Sequence, residues 1–298
     1  MKNIMTIVIR LTLSCILAGT VMGTTYIFTS NAKKHNEHVN EQKVMLSLLG
    51  YTNDKPAPDS MAMHEVYRYV VTEGDVLTLG YLVPGQSHAF TFVTIDLDGK
   101  FLATKPVDIS HDLVIDGNER NKAITTALSA GKSLRYADKT IVVTDNGQRL
   151  AYLLPGAFPG FKTFISVMLA LDPSFTILGL EIMEHEEDPG LGGEIIQDYF
   201  KNQFKGKPFA MLKKLKVAKT PIPAEYLKAL EATKSEMTAA DVATIQEQYK
   251  DKDIYALTGA TISSRSVTNG AKAIVKKFAY RISILDGVLK EQQIAVPF

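Results

Sequence analysis

The spacing of hydrophobic and polar positions changes character three times along the chain. From Leu11 to Thr29 the run "LTLSCILAGTVMGTTYIFT" holds no charged residue over nineteen positions. As a helix it spans about 28 Å, against a hydrocarbon core of about 30 Å. Arg10 flanks one end, and Lys33 with Lys34 the other; long cationic side chains reach a membrane surface from such places. The pattern predicts a single-pass membrane anchor over 1–32. A cleaved signal segment, with small residues at "SNA" (30–32), is the alternative reading. Residues 33–60 are polar, with one helical stretch "EQKVMLSLLGY" and a proline-containing linker "NDKPAPDS", and read as a stalk.

From Val66 to Ile182 the period shortens to two. Runs such as "YRYVVTE", "AFTFVTIDLDG", "KTIVVTDNGQ" and "KTFISVMLALDP" alternate with turn signals, which predicts a mixed or antiparallel sheet. Two hairpins look alike. "YLVPG" at Tyr81 matches "YLLPG" at Tyr152, and downstream Phe90 aligns with Phe164, Asp98 with Asp172 and Phe101 with Phe175. Either two hairpins of one sheet share a plain pattern, or a half-domain is duplicated. Past Gly193 the period becomes helical. Pro221 and Pro223 open a helix pair at about 222–249 whose second member has Thr238 as its N-cap. Val267, Ala271, Ile274, Phe278 and Ile282 then mark one buried stripe of a helix from about Ser263 to Leu285. The whole is an α+β chain.

Composition narrows the function. The chain has 298 residues, is 46% hydrophobic and 22% charged, and carries a net charge of +1, so it is globular and has no electrostatic bias toward nucleic acid. Its single cysteine, Cys15, lies within the first apolar run, which rules out a disulfide framework. The lysines at 205, 207, 213, 214, 216 and 219 read as a solvated face. The acidic loop "EHEED" around His185 reads as solvated rather than metal-binding, and the histidines at 35, 38, 64, 88 and 111 lack ligand spacing.

The stretch "LTGATISSRSV" places Thr258, Gly259, Ala260, Thr261, Ser263 and Ser264 at the start of the last helix. One hydroxyl there suits a helix cap. Three hydroxyls beside a Gly-Ala pair also suit a phosphate: the helix start favours an anion, Gly259 permits close approach, and Ser263 and Ser264 are able to donate to phosphate oxygens. Local chemistry leaves both readings open.

"TGATISSRSV" resembles the flavinylation motif of the FMN-binding G subunit of Rnf electron-transport complexes, and of the related C subunit of the sodium-translocating NADH:quinone reductase. "LPGAFPGFKTFISVMLALDP" resembles the family's Gly-rich turn and strand. "GLEIMEHEEDPGLGGEI" resembles its His-x-Glu-Thr-Pro-Gly-Leu-Gly loop, with Asp188 in place of the usual threonine. Tyr255 occupies a position where the family often has aspartate, and Asp253 is two residues away. The "ISSRSV" continuation is closer to the Rnf type.

The resemblance implies a β-rich part at 61–149 and an FMN-binding domain at 150–298, with the pair at about 222–249 as an insertion. FMN is then joined covalently, by a phosphoester, to Thr261. Glu187, Pro189, Gly190, Leu191 and Gly192 approach the flavin, with backbone N–H groups near its edge and Leu191 on its face. No residue acts as a general acid or base, and no metal is implied. The implied partners are the other membrane subunits of an Rnf-type complex, a flavin transferase that takes FMN from FAD, and the lipid bilayer. The implied location is the bacterial inner membrane, with the soluble part on the extracytoplasmic side. A component of the quinone reductase, a free-standing flavin carrier and a flavin-free assembly protein are the alternatives.

Overall fold

A computed structural model of the chain describes residues 2–85, 89–231 and 237–298; His88 and the side chains at 2–3, 27–28 and 30–38, including His35, His38 and the "SNA" segment, lie outside what it describes. The chain divides into two compact units, Met1–Ser47 and Leu48–Phe298. The first is the body of helix α1 (Lys2–Leu48), within which Ile4–Tyr26 is long and apolar enough to cross a membrane. This span starts earlier than the uncharged run and takes in Arg10. The helix stops where Gly50 adopts φ +84°, a left-handed ending that glycine accepts without a Cβ penalty.

The second unit is built on an eight-stranded antiparallel sheet. Its strands are β1 (Met61–Glu73), β2 (Val76–Pro84), β3 (Phe90–Ile95) and β4 (Phe101–Val107), then β5 (Lys132–Asp145), β6 (Gln148–Pro159), β7 (Phe164–Leu171) and β8 (Ile177–Glu184). The spatial order is β4-β3-β2-β1-β5-β6-β7-β8, which is two four-stranded meanders joined back to back through β1 and β5. Side chains alternate between the two faces, as the pleat requires. Tyr81, Val83, Val93 and Ile95 enter one core, while Leu82, Phe90 and Phe92 enter the other. Helix α2 (His111–Val114) and helix α3 (Gly117–Ala127) follow β4. Val114 of α2 and Ile124 of α3 close the second core. Arg120 of α3 is buried there. It donates to Tyr69 Oη at 2.7 Å and to the Val114 carbonyl at 2.6 Å, and lies 3.9 Å from the Tyr67 ring centre.

The meanders share turn chemistry. At the β3–β4 turn the Asp96 N–H donates to the Lys100 carbonyl, and the Lys100 N–H donates back to the Asp96 carboxylate. At the β7–β8 turn Asp172 and Thr176 make the same exchange. Register shifts at Thr94/Ile95 and Ala170/Leu171 precede both turns. Asp96, not Asp98, is thus the counterpart of Asp172. The ungapped sequence pairing is off by two residues, because turn hydrogen bonding rather than residue spelling sets the equivalence.

Between β8 and the last helix lie α4 (Asp198–Lys201), α5 (Phe209–Leu212), β9 (Val217–Ala218), α6 (Ala224–Leu230), α7 (Ala239–Tyr249) and β10 (Ile254–Tyr255), with β9 and β10 parallel. Thr238 Oγ1 accepts the Asp241 N–H at 3.2 Å and caps α7 as its position predicts. Tyr226 and Tyr249 stack at 4.1 Å, and their contact joins α6 to α7. Lys207 overturns its expected place on a solvated face: it is 1% exposed. Its ammonium donates to the carbonyls of Tyr249, Lys250 and Lys252 at 3.3, 3.2 and 2.6 Å. Carbonyls at the end of α7 lack helical partners, and the lysine supplies them.

Helix α8 (Thr261–Glu291) crosses the sheet. Val267, Ala271, Val275, Phe278, Ile282, Leu285 and Leu289 are its buried stripe, at the three- and four-residue spacing of one helical face. Two ion pairs fix its rotation. Arg281 donates to Asp138 at 2.9 Å, and Arg149 holds Asp286 in a two-pronged contact at 2.7 and 2.9 Å.

Candidate functional site

Packing of α8 on β6 places its first turn beside the β6–β7 turn and the 185–193 loop. Thr261 is the first helical residue and is half-buried. The residue before it, Ala260, has φ −127° and offers no side-chain cap. The hydroxyls that the sequence suggests as caps or phosphate donors turn inward. Ser264 Oγ donates to the Ala260 carbonyl at 2.9 Å and accepts the Leu257 N–H at 3.0 Å. Ser263 Oγ donates to Glu187 Oε2. Both serines are buried, so their hydroxyls brace the turn from within. Among the described residues the Thr261 hydroxyl meets no hydrogen-bond partner. Thr258 and Gly259, just before it, are exposed.

Glu187 is the centre of the arrangement. Its loop reads as solvated, yet this carboxylate is 4% exposed. A buried carboxylate is costly without compensation, and three donors supply it. Oε1 accepts the Phe161 N–H at 2.7 Å and the Lys162 N–H at 3.3 Å, and Oε2 accepts the Ser263 hydroxyl. Three segments distant in sequence therefore meet on one side chain. Glycines make room for it: a Cβ at Gly160 would collide with Glu187 Oε1, and one at Gly192 would come 2.6 Å from Ser263 Oγ and 2.8 Å from Glu187 Oε2.

The loop closes on itself as well. The Leu191 and Gly193 N–H groups donate to the Asp188 carbonyl at 3.2 and 2.8 Å, so these two are already engaged within the loop rather than free for a ligand edge. Gly190 takes φ +71°, while Pro189 and Gly190 are exposed. Asp188, where the resembled loop has threonine, pairs with Lys162 at 2.5 Å. That hydrogen bond and the carboxylate's charge hold the Lys162 ammonium above its usual pKa. Asp253 accepts the Lys216 N–H at 2.9 Å, and Tyr255 is held by Gln203 through its own N–H at 2.7 Å. No group of three or more metal-ligating side chains occurs among the described residues.

The resemblance named Leu191 beside the flavin, but sequence reasoning missed the rest of the apolar rim, Phe161 and Ile262. Phe161, Leu191 and Ile262 are 57, 47 and 55% exposed, one on each segment that meets Glu187. Exposed apolar side chains gathered at a site mark a binding surface. Periodicity carried no sign of them, because they lie on turns and at a helix start. Leu191 also closes over Gly259, where a Cβ would come 2.9 Å from Leu191 Cδ2. An unpartnered hydroxyl at a helix N-terminus, flanked by apolar side chains, suits a phosphate that carries a flat aromatic group.

All of these residues fall within 160–276, the stretch that matches the family of FMN-binding domains. Outside that stretch no family model is matched, and over part of its length the chain is similar to Rnf G and NqrC-like proteins. The G subunit of the proton-translocating ferredoxin:NAD(+) oxidoreductase complex of Clostridium ljungdahlii is 28% identical over 180 residues, 59% of this chain and 75% of that protein. The C subunit of the Na(+)-translocating NADH-quinone reductase of Yersinia pestis is 30% identical over 113 residues, 37% of this chain and 42% of that one. The G subunit of the ion-translocating oxidoreductase complex of Pasteurella multocida is 37% identical over 59 residues, 20% of this chain and 29% of that one. Among solved structures, the C subunit of the Na(+)-translocating NADH-quinone reductase of Parabacteroides distasonis superposes with a TM-score of 0.34 at 22% identity, over 64% of this chain and 75% of that one.

Proposed function

We propose that this chain is a membrane-anchored flavoprotein that carries FMN covalently, by a phosphoester to Thr261, and relays electrons in an Rnf-type complex coupling ferredoxin and NAD redox chemistry to ion movement. The observation that carries the reading is the division of labour among three hydroxyls. Ser263 and Ser264 are committed inside the fold, and Thr261 alone is left at the helix start with no partner among the described residues. The helix dipole and its unpaired N–H groups favour a phosphate there.

FMN supplies the redox chemistry, and the protein supplies attachment, position and electrostatics. Covalent attachment suits a carrier that passes electrons between partners, since a tether replaces a binding equilibrium with a high effective concentration. The Rnf assignment is favoured over the quinone reductase by the extent of similarity: 75% of the Clostridium ljungdahlii protein is spanned, against 42% of the Yersinia pestis protein. In this reading the chain is anchored in the bacterial inner membrane through the apolar segment Ile4–Tyr26, and its soluble part works on the extracytoplasmic side. Other membrane subunits and a flavin transferase are its partners.

The test is an intact mass of the protein from its native membrane beside a Thr261→Ala variant. An added mass of FMN less one water, absent from the variant, is expected. The same unmodified mass in both proteins would overturn the attachment.

A further inference from the structure

We infer that Glu187 is the positioning residue of the flavin site: its buried carboxylate fastens the turn bearing Phe161 and the loop bearing Leu191 to the first turn of α8, so that a flavin on Thr261 is held in one orientation. The inference rests on the attachment proposed above.

The connectivity is the reason. Each exposed apolar side chain of the rim lies on, or one residue from, a contact with the carboxylate. Phe161 donates its own N–H. Ile262 precedes Ser263, whose hydroxyl is the third donor. Leu191 precedes Gly192, where any Cβ would run into both Glu187 Oε2 and Ser263 Oγ. Moving the carboxylate therefore moves all three rim residues relative to Thr261. Nor does it have freedom to move, because Gly160 and Gly192 are closed on it from two sides.

The chemistry is that of a rigid anchor rather than of a reacting group. Among the described residues no cation pairs with the carboxylate: the nearby ammonium of Lys162 is taken by Asp188. Three hydrogen bonds to an ionised acceptor are individually stronger than neutral ones. A buried network with every member satisfied stiffens what it joins. A single phosphoester leaves the ring of an attached flavin free to rotate about several bonds. A fixed apolar rim removes that freedom, which is how a supporting shell gives a site its precision.

The test uses the full-length protein produced with its flavin transferase, as wild type and as Glu187→Gln, Ser263→Ala, Ser263→Thr and Thr261→Ala. Intact mass reports attachment, thermal melting reports folding, and visible circular dichroism per attached flavin reports ring orientation. Glu187→Gln and Ser263→Ala are expected to keep the adduct and lose the visible dichroism, and Ser263→Thr, which retains a hydroxyl, to recover it. Should Glu187→Gln fail to fold, Ser263→Ala carries the test, since it removes one hydroxyl and no charge. Folded, adduct-bearing Ser263→Ala with the wild-type visible signal would overturn the inference. An adduct that persists in Thr261→Ala, or never forms in the wild type, instead refutes the attachment itself, and is read from mass alone.

Discussion

Gly270 of α8 lies against the ring of Phe158 on β6, so close that a Cβ there would overlap the ring carbons. The contact lets the helix approach the sheet at the point where its first turn must reach Glu187. In an exposed helix interior, Gly→Ala stabilises by about 1 kcal/mol. Overpacking a tight core costs about 1–3 kcal/mol, and Phe158 is itself buried. The steric effect wins, so Gly270→Ala is expected to lower the melting temperature. Gly287, in the same helix, has nothing within 4 Å of its would-be Cβ. Gly287→Ala is therefore expected to raise it. Thermal melting of the two variants checks both signs, and a gain in both would deny the close approach at Gly270.

Asp138 ties α8 to the sheet by serving two arginines. Arg68 donates to it at 2.9 and 2.5 Å and Arg281 at 2.9 Å. Its side chain is 37% exposed, which discounts the electrostatic worth of each pair. Asp138→Ala is expected to cost about 1–2 kcal/mol, from charge-assisted hydrogen bonds lost on two part-buried arginines. A double-mutant cycle with Arg281→Ala, followed by denaturant unfolding, should show coupling. Strict additivity would mean that the Arg281 contact is idle.

Much of this architecture is visible in the chain itself. Period two between Val66 and Ile182 and the helical stripe beginning at Val267 mark the sheet and α8, and the Thr261 stretch and the 185–193 loop carry the family resemblance. What escaped is what depends on long-range closure. That Glu187 is buried follows from donors 26 and 76 residues away, which no local window contains. Lys207 reads as one lysine among six, and only the carbonyls of Tyr249, Lys250 and Lys252 reveal it as an internal cap. The repeat is visible but slips by two, since aligning Asp98 with Asp172 ignores the turn bonds that make Asp96 the counterpart.

Lys207 also gives a pH dependence. Burial pushes its ammonium down to about 8, with Asp253 and Asp251 opposing the shift. The unfolded lysine titrates near its ordinary value of about 10.4. Between those values the unfolded chain binds more protons than the folded one, so this group makes stability rise with pH across the window. Below pH 8 both states are protonated, and its contribution is flat at its least favourable value. Unfolding free energy measured from about pH 7 to about pH 10.5 for wild type and Lys207→Met is expected to show wild type gaining on the variant as pH rises through the window. A difference independent of pH would place the lysine's titration at its ordinary value.

Two glycines near the attachment point separate backbone strain from rim geometry. Gly190 and Gly259 both have positive φ, +71° and +75°, where an L-residue costs about 1–2 kcal/mol. A Cβ at Gly190 meets open space, whereas one at Gly259 comes 2.9 Å from Leu191 Cδ2. Leucine ends are flexible, so the side chain yields and the clash costs little beyond the strain. Gly190→Ala and Gly259→Ala are therefore expected to lose similar melting stability, while only Gly259→Ala displaces Leu191 from its place beside the helix start. With FMN attached, that displacement should change the visible dichroism of Gly259→Ala and leave Gly190→Ala like wild type. Equal spectra in the two variants would mean that Leu191 does not touch the flavin, and would reduce the rim to Phe161 and Ile262.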